Sequence, residues 1–114
     1  MKQLNFAPCY AAYLRAGTKT VTLRAANRRD LAPGDSVMLT VGWEGAEADP
    51  LGRARIVSVQ EKAFGALEVA DLAGESPDCG SPDAARLVLS CLYRRVFTDA
   101  DPVVVIRFEP EAGP

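Results

Sequence analysis

The segment Gly17-Thr18-Lys19-Thr20-Val21-Thr22-Leu23-Arg24 gathers three hydroxyls and two cations within eight residues. Threonine hydroxyls both donate and accept hydrogen bonds, lysine is a compact point charge, and arginine presents a planar fork of donors. With Thr20, Thr22 and Arg24 on one strand face and Lys19 at the strand's beginning, such groups could line a polar pocket. The same composition also describes a solvated edge strand, in which the threonines suit the pleat and the cations face water.

The rest of the chain narrows the chemistry available. With 114 residues there is room for one domain and a single small core. Histidine is absent, which excludes Ser-His-Asp and Cys-His catalysis and histidine-based metal sites. Cys9, Cys79 and Cys91 have neither the even count of a disulfide scaffold nor the close spacing of a zinc site, and read as buried small hydrophobes in a reducing compartment. No apolar stretch approaches membrane-spanning length and no secretory leader is visible, so the expectation is a cytoplasmic domain without a membrane partner. The net charge of −2 hides an asymmetry: residues 1–34 carry six basic groups against Asp30 alone, a net of +5, while the remainder carries seven basic and fourteen acidic groups, a net of −7. That pattern disfavours broad coating of a long nucleic acid and favours a local cationic site.

The elements that must position these groups are short. Leu4 to Phe6 reads as an entering strand, and Pro8 to Ala16 as a helix opened by proline and closed by Gly17. Thr18 to Arg24 is rich in β-branched residues and reads as a strand, with Val21 and Leu23 on the face opposite Thr20, Thr22 and Arg24. Pro33-Gly34-Asp35 is a turn before the alternating strand Ser36 to Val41, which points Val37, Leu39 and Val41 inward. Gly42 to Gly52 reads as a mobile loop bearing Trp43, Arg53 to Gln60 as a strand with Val57 and Val59 inside, and residues 64–72 as a short helix around Leu67 and Val69. Ser81-Pro82-Asp83 begins a helix running to about Arg95, with Ala84, Val88, Cys91 and Leu92 as its buried stripe. Pro102 to Glu109 is the most apolar strand, with Val104, Ile106 and Phe108 sharing a face, and residues 110–114 form a tail. The expected class is α+β, mainly β: a single-domain small barrel of five to six strands decorated by two main helices, its core spanning residues 4–109.

Taken in order, Phe6 before the first helix, Gly17-x-Lys19-x-x-Thr22-x-Arg24, Pro33-Gly34-Asp35, and Asp101-Pro102-Val103 leading to Ile106-x-Phe108 resemble the ASCH domain of the PUA-like superfamily. The resemblance spans Leu4 to Glu109. It implies a PUA-like β-barrel whose cleft binds RNA or a nucleoside, with no cofactor and no metal. Some ASCH proteins have been associated with RNA cleavage, a weaker reading for a chain without histidine. One bacterial branch is a small amidohydrolase that removes the acetyl group of N(4)-acetylcytidine, and it carries Gly-x-Lys-Thr-x-Thr-x-Arg at the same place.

Carried over from that branch, Lys19 is the base, Thr22 the nucleophile, and a downstream glutamate completes the site. Such chemistry is coherent without histidine, because a lysine desolvated beside a second cation can accept a hydroxyl proton. Arg24 is the candidate second cation, and its fork also suits a base carbonyl or a phosphate. Ideal alternation puts Lys19 and Thr22 on opposite faces, so the lysine must precede the regular strand or sit at a bulge. The alignment of the family glutamate falls on Asp78, with Glu75 as the alternative. Arg28 and Arg29 extend the positive surface, and Tyr10, Tyr13 and Trp43 are stacking candidates, helical packing being the competing role for the two tyrosines. RNA or nucleoside binding is the first reading, hydrolysis of an acylated cytidine the second, and a regulatory module that senses a small metabolite the third.

Overall fold

A computed structural model describes residues 1–43 and 47–111. Its frame is a five-stranded mixed sheet in the order β1-β3-β4-β5-β2, formed by β1 (Lys2–Phe6), β2 (Val21–Arg24), β3 (Ser36–Val41), β4 (Asp49–Ala63) and β5 (Pro102–Pro110). Among the described residues β1 and β3 run parallel and the other three pairings are antiparallel. Strand β5 is the most apolar because it is buried on both faces. Val104, Ile106 and Phe108 join a core with Leu4, Phe6 and Val37, whereas Val103 and Val105 join a second core with Val21, Leu23 and Phe64. The expected α+β, mainly β, PUA-like class holds, as a curled half-barrel.

The sheet leaves β1 and β2 as its two edges, and an edge strand exposes unpaired backbone groups. Curling brings these edges close enough for Arg24 of β2 to donate from Nη2 to the Asn5 carbonyl of β1 at 2.6 Å. The polar segment singled out in the sequence thus lies along the seam of the half-barrel.

Local chemistry sets the element boundaries. Proline opens a 3-10 turn, Pro8–Tyr10, that continues into α1 (Ala11–Ala16), and Gly17 ends the helix with a left-handed φ of 74°. Strand β2 is shorter than expected and starts at Val21, because Thr18 and Lys19 are still tied to the Tyr13 carbonyl at the end of α1. Strand β4 is longer than expected and begins at Asp49. The loop after β3 is correspondingly shorter than Gly42 to Gly52, and its residues 44–46 lie outside the described residues.

Three packing expectations are corrected. Val57 faces solvent at 47% exposure because β4 bulges between Ile56 and Ser58, so Ala54 and Ile56 are the buried residues and Val59 is half-buried. Residues 64–72 form two 3-10 turns, Phe64–Ala66 and Val69–Leu72, that bury Phe64, Leu67 and Leu72 and leave Val69 exposed. The second helix, α2 (Pro82–Tyr93), is capped by the Ser81 hydroxyl as expected, but it ends at Tyr93 and buries Ala85 and Leu89. Its stripe is rotated by one residue, with Val88 partly buried and Cys91 and Leu92 exposed.

Of the cysteines, Cys79 alone is buried; Cys9 and Cys91 are exposed thiols. The expected tail begins later than Pro110, which closes β5, and residues 112–114 lie outside the described residues. Among the described residues no helix is long and apolar enough to cross a membrane.

Candidate functional site

The seam opens into a cavity of about 180 Å³. Phe6, Val88, Leu89 and Leu92 supply apolar wall, and Lys19, Thr22, Arg24 and Glu75 supply the polar groups. Lys19 precedes β2 by two residues and therefore escapes the strand's alternation, which lets it share the cavity with Thr22. Its side chain is 3% exposed. The ammonium donates to the Val21 carbonyl at 3.0 Å and to Glu75 Oε1, and it sits 5.1 Å from the ring centre of Tyr10. Burying an ammonium is costly unless its donors are satisfied and its charge is matched. A carbonyl, a carboxylate and an aromatic face together meet that need.

The matching carboxylate is Glu75, not Asp78. The Glu75 side chain is 2% exposed and is held by the next residue, Ser76, through its backbone amide at 2.8 Å and its hydroxyl at 3.1 Å. Gly74 makes the approach possible. Its carbonyl accepts the Thr20 and Val21 amides, and its φ of 94° turns the chain so that Glu75 enters the cavity.

Asp78 stands one step behind. It accepts Ser76 Oγ at 2.7 Å and the Tyr10 hydroxyl at 2.7 Å. Desolvation pushes the Asp78 carboxyl up, but hydrogen bonds from Tyr10, Ser76 and Cys79 outweigh it and hold the group below the ordinary carboxylate value. Burial and the Asp78 charge raise Tyr10, and burial beside Glu75 and Asp78 pushes the Cys79 thiol up to about 12.

Thr22 is 5% exposed, and its hydroxyl oxygen accepts Arg24 Nε at 3.4 Å. Among the described residues that is its one side-chain hydrogen bond, so the hydroxyl proton is free to be donated elsewhere. The Arg24 guanidinium lies 5.0 Å from the Phe6 ring centre. Burial draws Arg24 below the ordinary arginine value, with Arg29 adding to the effect and Tyr93 and Glu75 opposing it.

The other sequence candidates are dispersed. Thr20 is turned away from the cavity, with its hydroxyl against Gly74. Arg28, Arg29 and Trp43 line an adjoining hollow instead. Tyr10 is a buried wall of the site, whereas Tyr13 is exposed on α1. Sequence reasoning missed Asn5, Ser76 and Tyr93. Tyr93 lines the cavity and accepts the Ala25 amide at 3.2 Å, and its place at the end of an apolar helix stripe carries no signal of such a role.

No protein-family model matches the chain, and no curated protein is similar enough to be counted a relative. Solved structures do match. An ASCH domain from Lactobacillus crispatus superposes with a TM-score of 0.61 at 19% identity, over 90% of this chain and 70% of that one. A protein of Enterococcus faecalis, assigned to the family DUF984, gives 0.64 at 17% identity over 90% of this chain and 69% of that one. A Pyrococcus furiosus protein solved in solution gives 0.60 at 19% identity, with 98% of each chain covered. These likenesses, together with the curled sheet, its seam and its two helices, establish that the chain has the ASCH-domain fold.

Proposed function

We propose that this chain binds a nucleoside, or a nucleoside unit of a short RNA, with the base in the seam cavity. The observation that carries the reading is the buried Lys19–Glu75 pair in a cavity shared with Thr22 and Arg24. An apolar slot with a few convergent polar groups fits a planar heterocycle, whose ring takes the wall of Phe6, Leu89 and Tyr93 and whose edge takes the hydrogen bonds. The test is calorimetric titration with cytidine, N(4)-acetylcytidine and short RNAs at low salt, repeated with Arg24→Ala. Binding that weakens in the variant supports the reading. No binding to any of them, or binding unchanged by Arg24→Ala, overturns it.

A second reading, amide hydrolysis of an acylated cytidine, is favoured by the free proton of the Thr22 hydroxyl in the cavity that holds Lys19 and Glu75. For Lys19 to act as base, it must first pass a proton to Glu75, to which it is bonded. Thr22 Oγ1 then forms a bond to the acyl carbon as its proton moves to Lys19, and the carbon–nitrogen bond breaks as that proton reaches the leaving amine. Water cleaves the resulting threonine ester, releasing the carboxylic acid and restoring the hydroxyl. Release of cytidine from N(4)-acetylcytidine by the wild type, and none by Thr22→Val, separates hydrolysis from binding alone.

A further inference from the structure

Beside the seam cavity lies a larger hollow of about 490 Å³, and the two share Asn5, Arg24 and Tyr93 as a common wall. Its character is different. Arg28, Arg29 and Asn27 come from the segment after β2, and Trp43 from the loop after β3. Among the described residues, neither Arg28 nor Arg29 makes an ion pair or a side-chain hydrogen bond. Elsewhere Arg55 pairs with Glu109, Arg86 with Asp99 and Arg95 with Asp101, while Arg107 bonds the carbonyls of Ala70, Asp71 and Ala73. Arg15, Arg53 and Arg94 share the unpaired state among the described residues, but of the unpaired arginines only Arg28 and Arg29 line this hollow beside Trp43.

The segment that carries the two arginines is fixed in place. Asn27 bonds both backbone groups of Leu31, with Nδ2 donating to the carbonyl at 2.9 Å and Oδ1 accepting the amide at 2.9 Å. The one carboxylate in the turn is Asp30, which is exposed and has a left-handed φ of 50°, and Lys2 donates to its backbone carbonyl. Trp43 is 63% exposed at the rim. Two guanidinium groups that lack partners among the described residues, carried on a turn held by Asn27 and set beside an exposed indole, have the makings of a phosphate-and-base subsite.

We infer that the second hollow is a phosphodiester subsite, in which Arg28 and Arg29 take phosphates flanking the nucleoside in the seam and Trp43 stacks on the adjoining base. The inference rests on the nucleoside reading of the seam and specifies its ligand: a single-stranded ribonucleotide segment, preferred over the free nucleoside. Arg24 is the hinge of the arrangement, since it lines both spaces.

Titrations of the full chain with cytidine, cytidine monophosphates, pentacytidylate and inorganic phosphate test it. Pentacytidylate is expected to bind at least about tenfold more tightly than cytidine at low salt. The Arg28→Gln/Arg29→Gln double variant is expected to remove that gain, to flatten the salt dependence by about 0.7 per lost phosphate contact, and to leave cytidine affinity unchanged. Trp43→Ala is expected to weaken pentacytidylate and spare the monophosphates. Cytidine binding with no gain from added phosphates, a gain that survives the double variant, or inorganic phosphate binding as tightly as the oligonucleotide overturns the subsite while leaving the seam reading intact. Failure of every ligand to bind overturns both.

Discussion

Glu75 reaches Lys19 across 56 residues of chain, and it brings its own support in Ser76. The pair joins the start of β2 to the segment before α2, so the cavity is closed by an electrostatic clasp between two parts of the molecule that the sheet leaves unconnected.

A clasp of this kind is costly to break from one side. Glu75→Ala leaves a buried ammonium without its counter-charge and is expected to lower stability by about 3–5 kcal/mol in urea denaturation. Replacing both partners with apolar residues, Lys19→Met with Glu75→Leu, removes the uncompensated charge and should cost less than Glu75→Ala alone while abolishing ligand binding. A double variant as unstable as the sum of the two singles would show that the pair is not coupled.

Thr22 offers a cleaner separation of binding from chemistry. Thr22→Val preserves shape and removes the hydroxyl, so nucleoside affinity should change by less than about tenfold while hydrolysis of N(4)-acetylcytidine falls to background. Thr22→Ser retains a nucleophile and should keep measurable turnover. Cytidine release, read by chromatography, decides between them.

The tier behind Glu75 should contribute to the pH dependence of stability, alongside the lowered carboxyls of Asp35, Asp71 and Asp101. Asp78 sits below its ordinary value, so its stabilising contribution is complete above the unfolded value near 3.9 and disappears as pH falls through the lower folded value. The stability gap between wild type and Asp78→Asn should therefore narrow in acid. Tyr10 and Cys79 are shifted upward, Cys79 to about 12, so their contributions are complete below the ordinary values of about 10 and 8.5 and decline as pH climbs toward the folded ones. Tyr10→Phe and Cys79→Ala should each flatten the alkaline fall in stability measured by denaturant titration.

Gly74 is the backbone counterpart of the clasp. A methyl group there would run into Thr20 Oγ1, and its φ of 94° strains any other residue. Gly74→Ala should cost about 1–3 kcal/mol from backbone strain, with steric displacement adding to it, and should loosen Glu75 enough to weaken nucleoside binding. Thermal melts and titrations read the two effects separately.

Much of this architecture is legible in the residues themselves. Proline and glycine punctuate α1, Ser81 announces α2, and the β-branched run locates β2, because these signals act over one to four residues. The placement of Lys19 off the strand's alternation also follows from reading the pleat strictly. Long-range packing is what the chain conceals. Nothing local reveals that β4 bulges at Val57, that α2 is rotated so that Leu89 rather than Cys91 turns inward, or that Glu75 rather than Asp78 meets Lys19. The last choice depends on the turn at Gly74, whose need is set by Thr20 on a different segment. Arg28 and Arg29 are visible as charges, but their standing in a separate hollow depends on how the segment after β2 folds over β1.

Strand β5 holds β2 in place, pairing Val21, Thr22, Leu23 and Arg24 with Arg107, Ile106, Val105 and Val104, and it follows every one of the site residues in the chain. During synthesis the lysine, threonine and arginine therefore emerge early and wait without a partner strand until β5 clears the ribosome. A nascent chain stalled before Pro102 has every side chain of the seam and no seam, so the proposed nucleoside binding requires that translation has passed that point.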